Sequence, residues 1–216
     1  MARARAVPSA PARSPRAAPS AGSAAPAAPA SRASPRDRIL DVAATLFYRH
    51  GIRAVGVDTL IAEAGVAKMT FYKHFPSKDA LVVTFLHRRD ERWRGWLEAA
   101  VARRAPAPRA RLLAVFDALE EWFASDDFRG CAFVNATVEL ADRAHPAHAV
   151  VAAHKQALAR YLRELATAAA VAHPERLSRQ LGLLMDGAIV TALREGTPRA
   201  AREAREMARR LLASAG

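Results

Sequence analysis

Basic side chains are concentrated in one short stretch of the chain that holds no acidic residue. No carboxylate occurs between Glu63 and Asp79, whereas this interval carries three lysines and a histidine. These four residues are Lys68, Lys73, His74 and Lys78. Long cationic donors with no carboxylate beside them are suited to binding phosphate oxygens. The stretch therefore indicates a nucleic-acid-binding surface, and the alternative is a solvated basic face on a packing helix.

Two short predicted helices position these side chains. An apolar helix is predicted after Gly56 and ends at Gly65, and a second helix runs from about residue 67 to 75. The glycine between them permits a tight turn. Phe71 and Phe75 are four residues apart, so both can pack inward while the lysines stay on another face. Two short helices joined in this way are typical of a helix-turn-helix.

The rest of the chain also follows a helical period, and no long segment alternates as a strand would. The first helix is predicted to begin at Ser34-Pro35 and to end at His50-Gly51. Ser77 is predicted to cap a long fourth helix. Breaks separate five further helices and fall at residues 105–108, 125–127, 145–146, 173–174 and 196–198. We therefore expect an all-α protein of about nine helices.

The first 36 residues differ from the rest in composition. They contain seven prolines, six arginines and no carboxylate, and they carry half of the formal net charge of +12. Abundant proline and few large apolar side chains predict a disordered Ala/Pro/Arg-rich tail over residues 1–33. The tail is either an unselected extension or an arginine arm for DNA phosphates or a minor groove. A targeting peptide is disfavoured, because the prolines interrupt the amphipathic helix that it needs.

The stretch from Thr59 to Leu81 reads TLIAEAGVAKMTFYKHFPSKDAL and resembles the TetR/AcrR family of transcriptional regulators. The similar region covers residues 36–86 and includes the Ile-Ala, Ala-Gly-Val and His-Phe anchors of the family pattern. The resemblance implies a three-helix DNA-binding domain over residues 34–82 and a helical effector-binding and dimerisation domain over 83–216. Gly56 and Ala67 stand where the family often has Ser or Thr, so each removes a helix cap.

The resemblance also implies which side chains meet DNA. The exposed face of the second short helix would contact base edges and phosphates, and neighbouring residues would bind the phosphate backbone of a palindromic double-stranded operator. The DNA-binding candidates are Lys68, Met69, Thr70, Tyr72, Lys73, His74, Lys78, Thr59 and Arg36.

Residues 181–193 are apolar almost all round, which predicts that this helix is covered on more than one side. A homodimer through the last two helices would provide that cover, in line with the resemblance. The alternative is the central helix of a monomeric bundle. The predicted interface residues are Leu181, Leu184, Met185, Ala188, Ala192, Ala204, Met207 and Leu211.

Aromatic residues are concentrated in the fourth to sixth predicted helices, where the family places an effector cavity. They either line a pocket for a small apolar or aromatic effector or form ordinary core. Three polar residues in apolar stretches are added because a buried polar group needs a partner. The effector-binding candidates are Trp93, Trp96, Phe116, Trp122, Phe123, Phe133, Asn135, Glu139 and Asp186.

Several classes of function are disfavoured by the sequence. Cys131 is the only cysteine, so an internal disulfide and a Cys-built zinc site are excluded, and a reducing, cytoplasmic location is expected. The spacing of His145, His148 and His154 matches no metal signature, so no metal is expected. We find no Gly-rich phosphate loop and no nucleophile elbow, and we expect neither an enzyme nor a cofactor. No uninterrupted apolar stretch could span a membrane.

We therefore expect a homodimeric, sequence-specific DNA-binding regulator, and specifically a repressor that a small-molecule effector releases from its operator. The alternatives are a non-specific basic DNA-binding protein and a regulator that responds to no effector. The formal charge of +12 agrees with a polyanionic partner in each case.

Overall fold

The computed structural model describes residues Ala33–Ala215, and every regular element between them is an α-helix. The nine helices of this part of the chain are α1 (Pro35–His50), α2 (Val57–Ala64), α3 (Lys68–His74), α4 (Lys78–Arg104), α5 (Pro108–Phe123), α6 (Ala132–Glu139), α7 (Ala147–Ala168), α8 (Pro174–Glu195) and α9 (Arg199–Ala213). The all-α prediction is confirmed. The predicted tail, residues 1–33, lies outside the described residues except for Ala33. None of the described helices has the length and apolar character needed to cross a bilayer.

Two serines at predicted helix starts cap their helices with their side chains. The Ser34 hydroxyl accepts a hydrogen bond from the backbone N–H of Asp37 at 3.1 Å, and the Ser77 hydroxyl accepts one from Ala80 at 3.1 Å. These contacts satisfy N–H groups that have no partner within the helix. The N-caps of α2 and α3 are Gly56 and Ala67, and neither provides a side-chain cap. The predicted helix starts and the two missing caps are therefore confirmed.

Helices α1, α2 and α3 enclose a small core that is completed by the start of α4. Leu60 and Phe71 are fully buried, and Phe75 is nearly so. Phe47 of α1 meets Phe85 of α4 edge-on, with ring centroids 5.6 Å apart. Because α4 continues without a break to Arg104, one rigid helix extends from this core into the larger bundle.

Helices α8 and α9 pack against each other and against α5 and α7, and this packing covers most of the residues predicted at a dimer interface. Leu181 and Met185 have no exposed surface, and Ala188, Ala192 and Ala204 are also buried. Their partners are helices of the same chain, and the three alanines let those helices approach closely. These five residues are therefore core residues of the single chain, and their assignment to a dimer interface stays a prediction.

Candidate nucleic-acid interface and ligand cavity

The turn between α2 and α3 depends on the backbone conformation of Gly65. This residue has φ +60° and ψ +45°, a left-handed conformation that side-chain-bearing residues rarely adopt. Its N–H donates to Ala62 O at 3.1 Å, and the next N–H, of Val66, donates to Ile61 O at 3.3 Å. These two bonds end α2 and direct the chain into α3.

Helix α3 presents an outer face of basic, polar and apolar side chains. Met69 is 82% exposed and Tyr72 is 42% exposed, and Lys68 and Lys73 are also exposed. Phe71 holds the opposite face in the core. The lysine ammonium groups and the tyrosine hydroxyl can donate to phosphate oxygens, and the Met69 side chain can contact a thymine methyl group.

The other DNA-binding candidates surround this face. Thr59 and Arg36 are exposed, whereas Thr70, His74 and Lys78 are half-buried. The Arg36 guanidinium lies 5.4 Å from the centroid of the Phe75 ring. The Lys78 ammonium lies 6.0 Å from the centroid of Phe47, and burial lowers its pKa. These two cations are thus held against aromatic rings of the small core.

Arg38 was not predicted, although it supports the turn. Its Nε donates to Ala64 O at 3.3 Å, and a second guanidinium nitrogen donates to Ala33 O at 3.2 Å. The first of these bonds ties α1 to the end of α2. No local pattern indicated this contact, because the partner is a carbonyl 26 residues away.

A narrow internal cavity lies among helices α4 to α8, with room for about one water molecule. Four predicted effector residues line it, which are Trp93, Trp122, Phe133 and Asp186. Arg89, Cys131, His154, Lys155, Leu158 and Ile189 also line it and were not predicted as effector residues. Asp186 is paired with Lys155 across the gap between α7 and α8. The lining is mostly apolar, with a small number of polar groups, as in many ligand sites.

His154 is the most buried polar residue of this cavity. Its ring stacks on Phe133 with centroids 3.6 Å apart, and its Nδ1 lies 2.7 Å from Oδ1 of Asp90. Burial raises the pKa of Asp90, but hydrogen bonds from Arg94 and His154 outweigh it and the net shift is downward. Burial lowers the pKa of His154. A neutral His154 beside an ionised Asp90 therefore carries its proton on Nδ1 and leaves Nε2 as an acceptor.

Five predicted effector residues lie outside the cavity lining. Phe116 and Phe123 are buried in the bundle core. The Asn135 amide donates to Arg129 O at 3.0 Å, and the Glu139 carboxylate accepts from the backbone N–H of Arg53 at 2.9 Å. The chain's own core and backbone thus supply the partners of these four residues, which do not line this cavity. Their part in effector binding stays a prediction. Trp96 lies in an open groove beside the cavity.

Polar contacts join the segment that contains α6 to α1 and to the loop that follows α1. The Tyr48 hydroxyl of α1 donates to Gly130 O at 2.9 Å and accepts from the N–H of Arg129 at 3.0 Å. Burial raises the pKa of Tyr48, so the hydroxyl keeps its proton. Glu139 binds Arg53 in the loop between α1 and α2. The cavity residue Cys131 directly follows Gly130, so the cavity wall and α1 are connected through one short loop.

The exposed strip consists of apolar side chains along α8 and one apolar side chain on α9. Leu183 is 70% exposed, and Val190, seven residues further along α8, is 52% exposed. Met207 of α9 is 53% exposed, and the other predicted interface residues are buried or half-buried. Leu184 and Leu211 are half-buried. The face of α8 that is exposed to a partner therefore lies on a different side of the helix from the predicted interface residues.

The three histidines considered as metal ligands each have a different neighbour. His145 Nε2 lies 3.3 Å from Asp79, His148 Nε2 lies 2.8 Å from Leu140 O, and His154 faces Asp90. Between Ala33 and Ala215, no group of three or more His, Cys, Asp or Glu side chains could hold a metal ion.

A helix-turn-helix with an exposed basic helix, placed on a larger helical bundle, defines the class of DNA-binding transcriptional regulators. The family described as "Bacterial regulatory proteins, tetR family" matches residues 39–84. The family described as "Tetracyclin repressor-like, C-terminal domain" matches residues 108–208. The two matches thus fall on the helix-turn-helix and on the larger bundle.

Individual proteins agree with these matches. SCO4454, a TetR-family transcriptional regulator from Streptomyces coelicolor, superposes with a TM-score of 0.78 at 33% identity, covering 84% of this chain and 89% of that one. The HTH-type transcriptional regulator YjdC of Escherichia coli is 23% identical over 71% of this chain and 81% of its own length. The HTH-type transcriptional repressor KstR2 of Rhodococcus jostii is 37% identical over 31% of this chain and 29% of its own length. The chain therefore belongs to the TetR family of transcriptional regulators, which are DNA-binding transcription factors and not enzymes.

Proposed function

We propose that the protein is a homodimeric repressor that a small-molecule effector releases from a palindromic operator. The observation that carries the proposal is the outer face of α3, where Lys68, Met69, Tyr72 and Lys73 are exposed with no carboxylate in the helix. The relative KstR2 is named a repressor, and its similarity to this chain supports the same sign of regulation here.

Residues 34–82 are proposed as the DNA-binding domain, and residues 83–216 as the domain that binds the effector and dimerises. The boundary falls within α4, which runs from Lys78 to Arg104. A continuous helix across the boundary supports coupling, because a shift of its second half moves its first half as well.

The proposed dimer forms through the exposed strip of α8 and α9. Leu183, Gly187 and Val190 are spaced at i, i+4 and i+7 and therefore lie on one face of α8. Gly187 lets a second helix approach closely. Paired with its copy in a second chain, this face forms a four-helix contact and places two α3 helices on one duplex.

The proposed effector enters the cavity lined by Trp93, Trp122 and Phe133. That cavity has room for about one water, so a larger molecule fits only when its walls separate. Separation moves the loop that carries Cys131 and Gly130, to which Tyr48 of α1 is bonded. An effector that prefers the widened cavity shifts the population towards a dimer whose α3 helices no longer match successive major grooves.

Fluorescence anisotropy tests whether the protein binds a specific DNA sequence through α3. The full-length protein is titrated onto labelled DNA that flanks its own gene and onto a scrambled duplex of equal length, at several salt concentrations. A specific regulator prefers one duplex by about a thousandfold or more. Tyr72→Ala and Lys73→Ala are expected to remove most of this preference, and Lys73→Ala also lowers the salt dependence by about one counterion.

Arg163→Ala is the matched control, since Arg163 is an exposed cation on α7. A protein lacking residues 1–33 separates the alternatives, because a specific regulator keeps its operator preference while a charge-driven binder loses most of its binding. Equal affinity for both duplexes, repeated on a random-sequence selection, would reject the repressor. Unchanged operator affinity across an effector screen would favour an effector-independent regulator.

A further inference from the structure

A groove beside the internal cavity brings together all three tryptophans of the protein. Trp93 and Trp96 of α4 and Trp122 of α5 form its wall, with ring centroids 5.4 to 6.5 Å apart. Each of the three is only partly buried, so the cluster leaves ring surface open to the groove. Contiguous exposed aromatic surface is a common mark of a binding site.

The groove continues into a basin rich in arginine between α1, α4 and the loop before α6. The basin has a volume of about 380 Å³, and the groove along the tryptophans adds about 300 Å³. Five arginines and two aspartates line the basin. The arginines are Arg49, Arg88, Arg89, Arg92 and Arg129.

Several of these guanidinium groups form no ion pair within the described part of the chain, although Asp127 lines both the basin and the groove and Glu121 lines the groove. Arg88 binds Asp41 at 2.8 Å and Leu40 O at 2.7 Å. Among the residues that the structure describes, Arg49, Arg89 and Arg92 form no ion pair. Three unpaired cations facing one concavity favour an anion there.

Arg89 connects the two halves of the site. It lines both the basin and the tryptophan groove, and its guanidinium lies 4.0 Å from the centroid of the Tyr48 ring. This stacking fixes the orientation of the guanidinium and leaves its edge free for a carboxylate. Arg92 also lines both halves. A ligand of moderate length could therefore contact the arginines and the tryptophans at the same time.

We propose that this groove, defined by Arg49, Arg89, Arg92, Trp93, Trp96 and Trp122, binds a small molecule that carries an aromatic ring and a carboxylate. The ring packs on the tryptophans, and the carboxylate accepts hydrogen bonds from the arginines. The groove shares Arg89, Trp93 and Trp122 with the lining of the internal cavity. The proposal therefore rests on the proposed effector site, and it extends that site to an open groove that needs no widening of the cavity. Double-stranded DNA is the less suitable anion, because a phosphate backbone gives the adjoining tryptophans nothing to stack on.

Isothermal titration with 2-naphthoate tests the proposal on the full-length protein. The neutral analogue 2-naphthylmethanol has the same ring without the charge and is expected to bind about tenfold more weakly, since it cannot form charge-assisted hydrogen bonds with the arginines. The double variant Arg49→Gln/Arg92→Gln is expected to lower naphthoate affinity by about tenfold or more, and Trp96→Ala by a similar factor. Arg49 and Arg92 are exposed, so their replacement leaves the core intact.

Two controls locate the site. The double variant Arg160→Gln/Arg163→Gln removes the same charge from a basic concavity on α7 that has no aromatic lining, and its naphthoate affinity should not change. Leu158→Phe fills the internal cavity from the α7 side, where Leu158 does not line the groove, so binding in the groove should survive. Full binding by the Arg49→Gln/Arg92→Gln variant, loss of binding in Leu158→Phe, or equal affinity for the neutral analogue would each overturn the proposal. A loss of DNA affinity in that arginine variant with unchanged naphthoate binding would assign the arginines to DNA and overturn it as well.

Discussion

At the scale of single residues, the hydroxyl of Tyr48 is the polar link between α1 and the loop that precedes α6. It donates to Gly130 O and accepts from the N–H of Arg129. The residue is partly buried, so water replaces these bonds poorly. One side chain thus connects the DNA-binding helices to the wall of the cavity.

Tyr48→Phe is expected to lower the free energy of unfolding by about 1–2 kcal/mol, because it leaves a carbonyl and an N–H without a partner. Urea denaturation followed by circular dichroism measures the change. Tyr72→Phe is the matched control, since Tyr72 is exposed on α3 and should change stability by less than about 0.5 kcal/mol. Equal stabilities for the two variants would show that the Tyr48 link does not contribute.

The buried imidazole of His154 makes stability depend on pH. Burial lowers its pKa below the ordinary value of 6.5, against the opposing effect of Asp90. As the pH falls below 6.5, the unfolded chain takes up a proton that the folded chain does not, so stability decreases. Asp90, Lys155 and Arg94 are the charged groups that influence this site.

His154→Gln removes this titration. The stability advantage of the natural protein over the variant is expected to shrink by at most about 1.4 kcal/mol per pH unit below pH 6.5. Denaturation curves at several pH values between 5 and 8 provide the comparison. A constant difference across that range would mean that His154 does not titrate differently in the two states.

At the scale of elements, the two short helices of the helix-turn-helix begin without a side-chain cap. Each is therefore stabilised mainly by packing of Leu60, Phe71 and Phe75 in the small core. Helix α4, which follows α3, does have a side-chain cap. The Ser77 hydroxyl provides it and fixes the first turn of α4.

Ala67→Ser restores a cap and is expected to raise the free energy of unfolding by about 1 kcal/mol, since Ala67 already has the extended backbone of an N-cap. Gly56→Ser should gain only a few tenths of a kcal/mol, because glycine is itself a tolerated cap. Thermal denaturation ranks the two variants. Ala62→Ser, in the exposed middle of α2, is the control and should slightly destabilise the protein.

At the scale of the whole molecule, substitutions on the exposed strip of α8 and α9 are expected to change the oligomeric state, whereas substitutions on the buried side of these helices are expected to change folding stability. Leu183→Arg places a charge on the strip and is expected to convert dimers to monomers while the fold is retained. Met185→Ala, on the buried side, is expected to lower folding stability by about 2–5 kcal/mol. Light scattering after size-exclusion chromatography reports the mass, and denaturation reports stability.

Val138→Arg is the control for the dimer prediction, because Val138 is an exposed apolar residue on α6, away from the strip. Its mass should equal that of the natural protein. If the Leu183→Arg variant remained a dimer, the dimer interface would not include the strip.

Local signals in the sequence were enough for the fold class and the DNA-binding segment. The serine caps, the αL glycine at Gly65 and the spacing of Phe71 and Phe75 act over a few residues, so they can be read directly from the chain. The prediction of polar effector residues was weaker, because the partners of Asn135 and Glu139 are backbone groups that only folding brings close.

The sequence alone determined the helical architecture, the helix-turn-helix and the basic face of α3, since each follows from helical periodicity and short-range capping. Only the tertiary structure decided which side of α8 is buried, because a helix that is apolar all round gives no preference for one face. The tertiary structure also decided that the tryptophans and arginines of α1, α4 and α5 share one groove. Such a juxtaposition depends on how distant helices pack, and no pattern within a single helix encodes it.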